Sequence, residues 1–480
     1  MTKKLSTFQW IMLIICIFLL YFNKLIPPFG GLNQAGVQVL CLVVGTLLMM
    51  LTIDIILPAM FLILALPLSG LYSLGETLAM TMGHSVVNFM IFNGLMLYVL
   101  QETGVLRRIA INMITMPITQ KNPKAFVAGL WLVIFIIGCF IDITACVILF
   151  SILIIEILDQ IGVKKGDKLG EMLLFGNMIF CCISYGFTPI GHSVPILAIS
   201  VFADIQEISM LKYTIVGVIL GIICWIIFCA IELFLVKVDL SPIKNFDGAK
   251  MRSQLGKWTV SEKLALGIFI AVVVLWLSPD FLKGAPAVYG AVTSLGQVGA
   301  PLLAVVVMCL IRIDNKPLLN FGDAMLSGGV AWAPIYLIAA SMALGAVIGN
   351  ADAGIPAYLA EHLGGSIGQL APFTFVILMA LIAIVITNFT SCTVALTIAY
   401  TVALALIGTV GGVSAGALAL VLGAGAGLAF MTPPAGTSAA VTVGYGYVSS
   451  GQMFKKGALY AVLFGAITIV IGYFIASAIV

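Results

Sequence analysis

The stretch "TNFTSCTVAL", residues 387–396, concentrates hydroxyl and amide side chains inside an apolar region. Its polar members are Thr387, Asn388, Thr390, Ser391 and Thr393. Just upstream, "FVILMALIAI" (375–384) contains no hydrogen-bonding side chain. A single Ser or Thr in such a place is explained equally well by a bond to a carbonyl of its own helix. The dense cluster instead favours a helix end that is capped or that faces a bound solute.

The composition places this cluster in a membrane. Of 480 residues, 62% are hydrophobic and only 9% are charged, whereas soluble domains carry about 25% charged residues. Apolar runs of about 20 residues recur along the chain, and each is long enough to cross a hydrocarbon core of about 30 Å. The sequence therefore predicts a multi-pass protein of the cell membrane, surrounded by lipid. The net charge of +3 is typical of basic cytoplasmic loops and gives no reason to expect a nucleic-acid partner.

The chain shows signs of an internal repeat. A polar segment, 237–263, divides it nearly in half. Three segments of the first half have counterparts in the same order in the second: 86–110 with 333–360, 140–152 with 389–401, and 187–195 with 431–439. Transporters are often built from two such halves.

The last two pairs of segments are interrupted apolar helices. Unpaired backbone groups are not tolerated in lipid, so helix breaks occur only where protein or a water-filled cavity covers them. An N-terminal half-helix end presents free N–H groups that suit an anion, and a C-terminal end presents carbonyls that suit a cation. Matched breaks in two halves are the sequence pattern expected of a transport site.

Several motifs resemble those of the divalent anion/sodium symporters (DASS), the family that includes the INDY-type dicarboxylate carriers. The resembling stretches are "QETGVLRRIA" (101–110), "TPIGHSVP" (188–195), "TNFTSCTVAL" (387–396), "TPPAG" (432–436) and "GYGYVSSGQMFKKG" (444–457). The resemblance covers nearly the whole chain.

The resemblance implies an all-α integral membrane protein with about 11 transmembrane helices, two re-entrant helical hairpins and two inverted repeats. It also implies a homodimer in which each protomer has a scaffold and a transport domain that slides like an elevator. Scaffold helices would occupy 1–124 and 264–368, and the transport domain 125–236 and 369–480. The segment 237–263 would connect the two repeats.

The resemblance also implies a substrate site between the hairpin tips and the unwound loops. Carried over by position, its substrate-binding residues are Thr144, Thr188, Pro189, His192, Ser391, Thr393, Thr432 and Pro433. His192 pairs with a substrate carboxylate when protonated, titrates near physiological pH, or stays neutral and bonds to carbonyls. Asn388 and Thr390 are candidates for cation or proton coupling.

The two tips depart from the Ser-Asn-Thr pattern of that family. The first reads Asp142-Ile143-Thr144 and the second Ser391-Cys392-Thr393, so neither has the asparagine that helps to bind sodium. A thiol is a poor ligand for a hard cation, which prefers oxygen. This departure favours a coupling ion or a substrate that differs from those of the family it resembles.

Asp142 is the acidic residue at a tip, and three interpretations of it stay open. It binds Na⁺ in place of the missing asparagine, it carries a proton because burial favours the neutral acid, or it caps the following half-helix. An acid at mid-membrane costs roughly 2.5–3.5 kcal/mol on insertion scales, so it is a functional candidate by default. A bare carboxylate would repel a dianion, so a cation must accompany it or the substrate must be less negative or carry an amine. No cofactor is expected beyond a possible Na⁺.

We therefore predict a secondary active transporter of small organic anions of the di- or tricarboxylate type, driven by Na⁺, H⁺ or anion exchange. The alternatives are a passive channel and a transporter of the same fold with a non-dicarboxylate substrate. Selective pores use rings of ligands from several subunits, which this single asymmetric pair of breaks does not resemble. An intramembrane enzyme is disfavoured because the sequence contains no Gly-x-Ser-x-Gly or His-Glu-x-x-His motif.

Overall fold

The computed structural model of the protein describes residues 5–54, 56–117, 122–355, 357–359, 361–362 and 368–480. Its α-helices are Thr7–Tyr21, Gln34–Thr52, Leu57–Ser69, Leu74–Met80, Ser85–Glu102, Val105–Ile114, Pro123–Gly138, Ile143–Gln160, Lys168–Phe187, Ser193–Phe202, Met210–Ala230, Gly248–Ser253, Val260–Leu277, Pro279–Leu282, Pro286–Leu310, Phe321–Leu326, Trp332–Ile348, Pro372–Thr387, Cys392–Leu406, Ala415–Ala426, Thr437–Gly444, Ser450–Ile467 and Tyr473–Ile479. The prediction of an all-α membrane protein is confirmed.

Shorter elements connect these helices. The 3₁₀ turns are Asn23–Leu25, Ser241–Asn245, Ala351–Ala353, Ile407–Thr409 and Pro433–Ala435, and the π-helical turns are Ile231–Leu235 and Thr468–Gly472. The strands Arg312–Ile313 and Lys316–Pro317 pair antiparallel. Asp314 and Asn315, which join these strands, both have positive φ, as a tight hairpin turn requires.

Among the described residues, eight helices are long and apolar enough to cross a membrane. The bent pair Leu74–Met80 and Ser85–Glu102, which meet at 49°, adds a ninth span. Shorter apolar helices account for the remaining runs. For example, Pro123–Gly138 has 16 residues and is therefore about 24 Å long, less than the hydrocarbon thickness.

The two halves contain the same series of elements. The first hairpin consists of Pro123–Gly138 and Ile143–Gln160, and the second hairpin of Pro372–Thr387 and Cys392–Leu406. Each hairpin begins with proline, which suits the first turn of a helix because its missing N–H has no intrahelical acceptor.

A broken helix follows each hairpin. The first broken helix is Lys168–Phe187 with Ser193–Phe202, and the second is Ala415–Ala426 with Thr437–Gly444. Each is followed by a long helix that contains a π-helical turn. Pro189 accounts for the first break, because it lacks the N–H that would continue the helical ladder; the second helix ends at Ala426, before Pro433 is reached.

The broken helices cross each other at two glycines that lie just before the breaks. A Cβ atom added to Gly186 would lie 2.8 Å from Cα of Gly427, and one added to Gly427 would lie 2.5 Å from Cα of Gly186. No larger side chain fits in that space. The crossing therefore fixes the two breaks next to each other.

A second pair of glycines lets the following long helices touch the breaks. A Cβ atom on Gly217 would overlap the carbonyl oxygen of Phe187, and one on Gly457 would overlap that of Phe430. The two phenylalanines precede the two Thr-Pro sequences. The halves thus repeat not only their elements but also the contacts that hold those elements.

The buried apolar residues form two clusters. The smaller cluster joins the helices Thr7–Tyr21, Gln34–Thr52 and Leu57–Ser69 to Trp332–Ile348. The larger cluster contains both hairpins and both broken helices. The packing of both hairpins and both breaks within one core places the candidate residues of the two halves around a common centre.

The segment 101–110 is anchored through Arg108 to the polar connection between the two halves, 237–263. Nε of Arg108 lies 2.6 Å from Oε1 of buried Glu262, and its guanidinium donates to the carbonyls of Gly256 (3.0 Å) and Lys257 (3.2 Å). This buried pair is fully hydrogen-bonded, the condition under which a buried charge is tolerated. Arg108 therefore has a structural role.

Candidate functional site

The first hairpin tip is capped by its own carboxylate. Oδ1 of Asp142 accepts hydrogen bonds from the backbone N–H groups of Thr144 (2.8 Å) and Ala145 (3.4 Å). This is the helix-cap geometry. Both bonds go to Oδ1, and the Thr144 hydroxyl is a further hydrogen-bond partner of the carboxylate. Asp142 thus takes up the N–H groups of Thr144 and Ala145 in this conformation, and substrate binding by Thr144 stays a prediction.

The first unwound loop holds the end of the first hairpin helix. The hydroxyl of Thr188 lies 3.2 Å from the carbonyl oxygen of Cys139 and 3.0 Å from that of Ser184. Nε2 of His192 lies 2.8 Å from the carbonyl oxygen of Gly138. Since a carbonyl oxygen only accepts, Nε2 carries the proton of this hydrogen bond. His192 therefore makes the bond to a carbonyl that was one of its predicted interpretations.

His192 itself is buried, with 1% of its surface exposed. Its other ring nitrogen, Nδ1, has no hydrogen-bond partner among the described residues. The ring stands edge-on to that of Tyr185, with centroids 5.2 Å apart. His192 therefore orients the loop while it keeps one unused nitrogen.

The second hairpin is held to the second unwound loop by Asn388. Its amide nitrogen donates to the carbonyls of Ile384 (2.7 Å) and Leu428 (3.0 Å). Its amide oxygen accepts from the backbone N–H groups of Phe430 (2.9 Å) and Met431 (3.0 Å). All the positions of this amide are filled, so in this conformation Asn388 offers no side-chain ligand to a cation.

One contact is repeated in both halves. The hydroxyl of Thr432 donates to the carbonyl of Asn388 at 2.6 Å, as the Thr188 hydroxyl does to that of Cys139. Cys139 and Asn388 are the residues that end the first helix of each hairpin. The Thr of each Thr-Pro sequence therefore binds a carbonyl that the helix leaves unpaired.

The second hairpin tip differs from the first in its cap. Ser391 precedes the helix Cys392–Leu406, and its side chain makes no capping hydrogen bond. The first N–H groups of this helix are therefore not taken by a side chain of the tip. Ser391 and Thr390 are half-buried, and Thr393 is buried. This half-helix end is the one that can accept an external anion.

Tyr185 links the first broken helix to both tips, a role that the sequence did not reveal. Its hydroxyl forms a 2.8 Å hydrogen bond with that of Ser193. It also lies beside the Thr393 hydroxyl and within electrostatic range of Asp142 and Cys392. The sequence feature that could have indicated this role is a tyrosine one helical turn before the Thr-Pro break.

The prolines of the two loops mark a difference in burial. Pro189 is buried, as are all residues of the first loop. Pro433 is half-buried and begins a 3₁₀ turn, and the following Pro434 is exposed. The second loop is thus the more accessible of the two.

The described residues contain no group of three or more His, Cys, Asp or Glu side chains that could hold a metal ion. A sodium site would have to combine the Asp142 carboxylate with hydroxyl and carbonyl oxygens, the ligands that hard cations prefer.

Comparison of the sequence with models of known protein families identifies the family of this chain. The model described as "Sodium:sulfate symporter transmembrane region" matches residues 7–479. The chain belongs to this family. It is therefore a multi-pass membrane protein of a transporter family and not a member of an enzyme family.

Two further similarities agree with membership of the sodium:sulfate symporter family. The "Uncharacterized transporter MJ0672" of Methanocaldococcus jannaschii is 25% identical over 304 residues, which are 63% of this chain and 64% of that protein. The match thus spans less than two thirds of the relative's length. A structure of MtrF from Neisseria gonorrhoeae, described with a class of antimetabolite efflux pumps, covers 100% of this chain and 96% of its own with a TM-score of 0.56. Its 13% identity shows a common fold alone.

Proposed function

We propose that the protein is a secondary transporter of small organic anions and that it binds a carboxylate group at the second hairpin tip. The observation that carries this proposal is the absence of a side-chain cap on the helix Cys392–Leu406. The half-helix end has N–H groups and a positive dipole, both of which favour an anion. The hydroxyls of Ser391 and Thr393 supply further donors beside it.

The unwound loops position this tip. Thr188 and Thr432 bind the last carbonyls of the hairpin helices, and Asn388 fixes the backbone of 430–431. Pro189 and Pro433 keep the breaks open, because proline cannot extend a helical ladder. In this proposal these residues hold the binding geometry and do not themselves carry the ion.

Asp142 is the proposed coupling residue. A carboxylate and a bound anion near one centre require a positive partner, since like charges in a poorly hydrated site cost several kcal/mol. The Asp142 carboxylate is the place for that partner, which for an amine-free substrate is Na⁺ or H⁺. The Thr144 hydroxyl beside it adds an oxygen ligand.

We also propose that both hairpins and both broken helices move as one body. The bonds of Asn388 join the second hairpin to the second break, and the Gly186–Gly427 crossing joins the two breaks. This body corresponds to 125–236 and 369–480, and it would move against 1–124 and 264–368 in an elevator motion. A homodimer with the fixed part at its centre fits the family resemblance.

Reconstitution in sealed liposomes tests the proposal. Uptake of labelled succinate, related carboxylates and sulfate would be measured under a sodium gradient, a proton gradient, or with unlabelled acid inside. We expect concentrative uptake or exchange of at least one carboxylate. Flux that only equalises concentrations would indicate a passive channel, and transport of sulfate without any carboxylate would contradict the substrate class.

Asp142→Asn is the informative variant in the same assay, with the exposed Asp239→Asn as its control. Loss of ion-driven uptake in Asp142→Asn alone would support its coupling role. Equal ion-driven uptake by both variants would reduce Asp142 to a helix cap.

A further inference from the structure

A cavity lies against the first hairpin tip. It has a volume of about 310 Å³ and is bounded by Asp142, Thr144 and Gly191 on the side of the hairpin and first break. The opposite wall is the helix Ser85–Glu102 together with the segment 328–335. This volume is sufficient for a small organic group and far exceeds that of a single water molecule.

The wall opposite Asp142 contains a buried amide without a partner. Asn93 is 1% exposed, and its Oδ1 makes no hydrogen bond within the described part of the chain. Buried polar atoms are nearly always paired, and an unpaired one costs about 1–3 kcal/mol. Asn93, whose Oδ1 lacks a donor among the described residues, and the Asp142 carboxylate thus line one cavity.

The wall that carries Asn93 is held in place by close backbone packing. A Cβ atom on the neighbouring Gly94 would lie 2.7 Å from the carbonyl oxygen of Gly329. A larger residue would push the helix Ser85–Glu102 away from the segment that contains Gly328 and Gly329. The position of Asn93 is therefore set by the fold.

The charge of the cavity selects its occupant. None of the described residues that line it is Lys, Arg or His, and Asp142 is the acid among them. The remaining polar lining residues are Asn93, Tyr98, Gln101 and Thr144. A second carboxylate here would meet the charge of Asp142 and find the first helical N–H groups already taken. A cationic hydrogen-bond donor is the occupant that matches this lining.

We propose that this cavity is an amine subsite, in which Asp142 and Asn93 bind the primary ammonium group of a substrate whose carboxylate lies at the second hairpin tip. The substrate class is then a small amino acid and not a dicarboxylate dianion. This inference rests on the proposed carboxylate site. The ammonium group takes the place of the Na⁺ or H⁺ that an amine-free acid would need.

The test compares matched acids with and without the amine. Full-length protein in liposomes is assayed for uptake of glycine, β-alanine, γ-aminobutyrate, L-aspartate, succinate and N-acetyl-β-alanine. The N-acetyl compound keeps the carboxylate and removes the positive charge. We expect at least one amino acid to be taken up about tenfold to a hundredfold faster than its amine-free counterpart, the range for a hydrogen-bonded charge.

Variants assign the subsite to the two residues. Asn93→Leu and Asp142→Asn should each lower the apparent affinity for the amino acid about tenfold or more. Asn93→Leu should leave the affinity for N-acetyl-β-alanine little changed. Asn112→Leu, a half-buried asparagine outside the cavity, is the control. Ligand-induced thermal stabilisation of the purified variants gives a second readout and shows whether each variant is folded.

The outcomes separate this inference from the proposed function. Transport of amine-free acids without any amino acid would overturn the amine subsite and leave the carboxylate site standing. Uptake of amino acids that is unchanged in both cavity variants would also overturn it. If no acid of either kind is bound or moved, the carboxylate site itself is wrong.

Discussion

The two hairpin tips share a scaffold but differ at the cap. In both halves a threonine of the Thr-Pro loop binds the last carbonyl of the first hairpin helix. Asp142 then fills the N–H groups of the first tip, whereas Ser391 leaves those of the second tip free. A repeated fold thus provides two equivalent half-helix ends, and one side chain is enough to occupy the N–H groups of one of them.

The largest expected effect comes from Asn388→Leu, which removes the contacts that hold the second break. Two carbonyls and two backbone N–H groups would lose their partner. We expect a loss of about 3–5 kcal/mol in the free energy of unfolding, because several buried polar groups become unpaired. Thermal melting of the purified protein measures this, with the exposed Asn245→Leu as the control. Equal melting temperatures for the two variants would contradict the assigned role of Asn388.

Ser391→Asp would make the second tip resemble the first. The new carboxylate should cap the helix as well as serine can, so stability should not fall. Carboxylate binding should decrease about a hundredfold or more, because like charges placed together cost several kcal/mol. Binding would be measured by ligand-induced thermal stabilisation. Ser449→Asp adds the same charge at the N-terminus of Ser450–Ile467 and should leave binding unchanged; retained affinity in Ser391→Asp would show that the carboxylate lies elsewhere.

Asp142→Ser is the reciprocal change and should free the first tip. The charge that repels a second carboxylate disappears, and the N–H groups of Thr144 and Ala145 lose their carboxylate acceptor. We expect the affinity for succinate to rise about tenfold relative to that for a monocarboxylate. Competition between succinate and propionate for the same site measures the ratio. A ratio equal to that of the unmodified protein would mean that Asp142 does not set the charge preference.

The smallest expected effects are those of Thr188→Val and Thr432→Val, which remove the repeated hydroxyl contact and keep the side-chain shape. Each should cost about 1 kcal/mol, the net worth of one hydrogen bond. Melting curves of the two single variants and the double variant provide the comparison. Additive losses are expected, because the two bonds share no partner. A loss of stability in only one of the two single variants would contradict the equivalence of the two contacts.

The sequence was informative wherever proline, glycine or a polar cluster decides local structure. The Thr-Pro pairs at 188–189 and 432–433 predicted the helix breaks, and the cluster at 387–393 predicted a hairpin tip. Both follow from local rules, since proline ends a helical ladder and unpaired backbone groups need cover.

The number of spans was harder to read from the sequence. The continuous apolar run 37–69 proved to contain two helices, Gln34–Thr52 and Leu57–Ser69. Several helices at the site are shorter than a membrane span. Hydropathy alone reports apolar length and not where a chain turns inside the protein.

The hydrogen-bond partners of individual side chains could not be predicted from the sequence. The sequence could not show that the Asn388 amide bonds to Leu428 and Phe430, about 40 residues away. The significance of Tyr185 and Asn93 depends on what the fold places beside them. Such contacts leave no periodic pattern in the chain.

The central claim is that a carboxylate binds at the second hairpin tip. An experimental structure of the full-length protein with a transported carboxylate would settle this position. We predict the carboxylate at the N–H groups that begin the helix Cys392–Leu406, within hydrogen-bond distance of Ser391 or Thr393. A carboxylate bound at the first tip, in contact with the N–H groups of Thr144 and Ala145, would contradict the account.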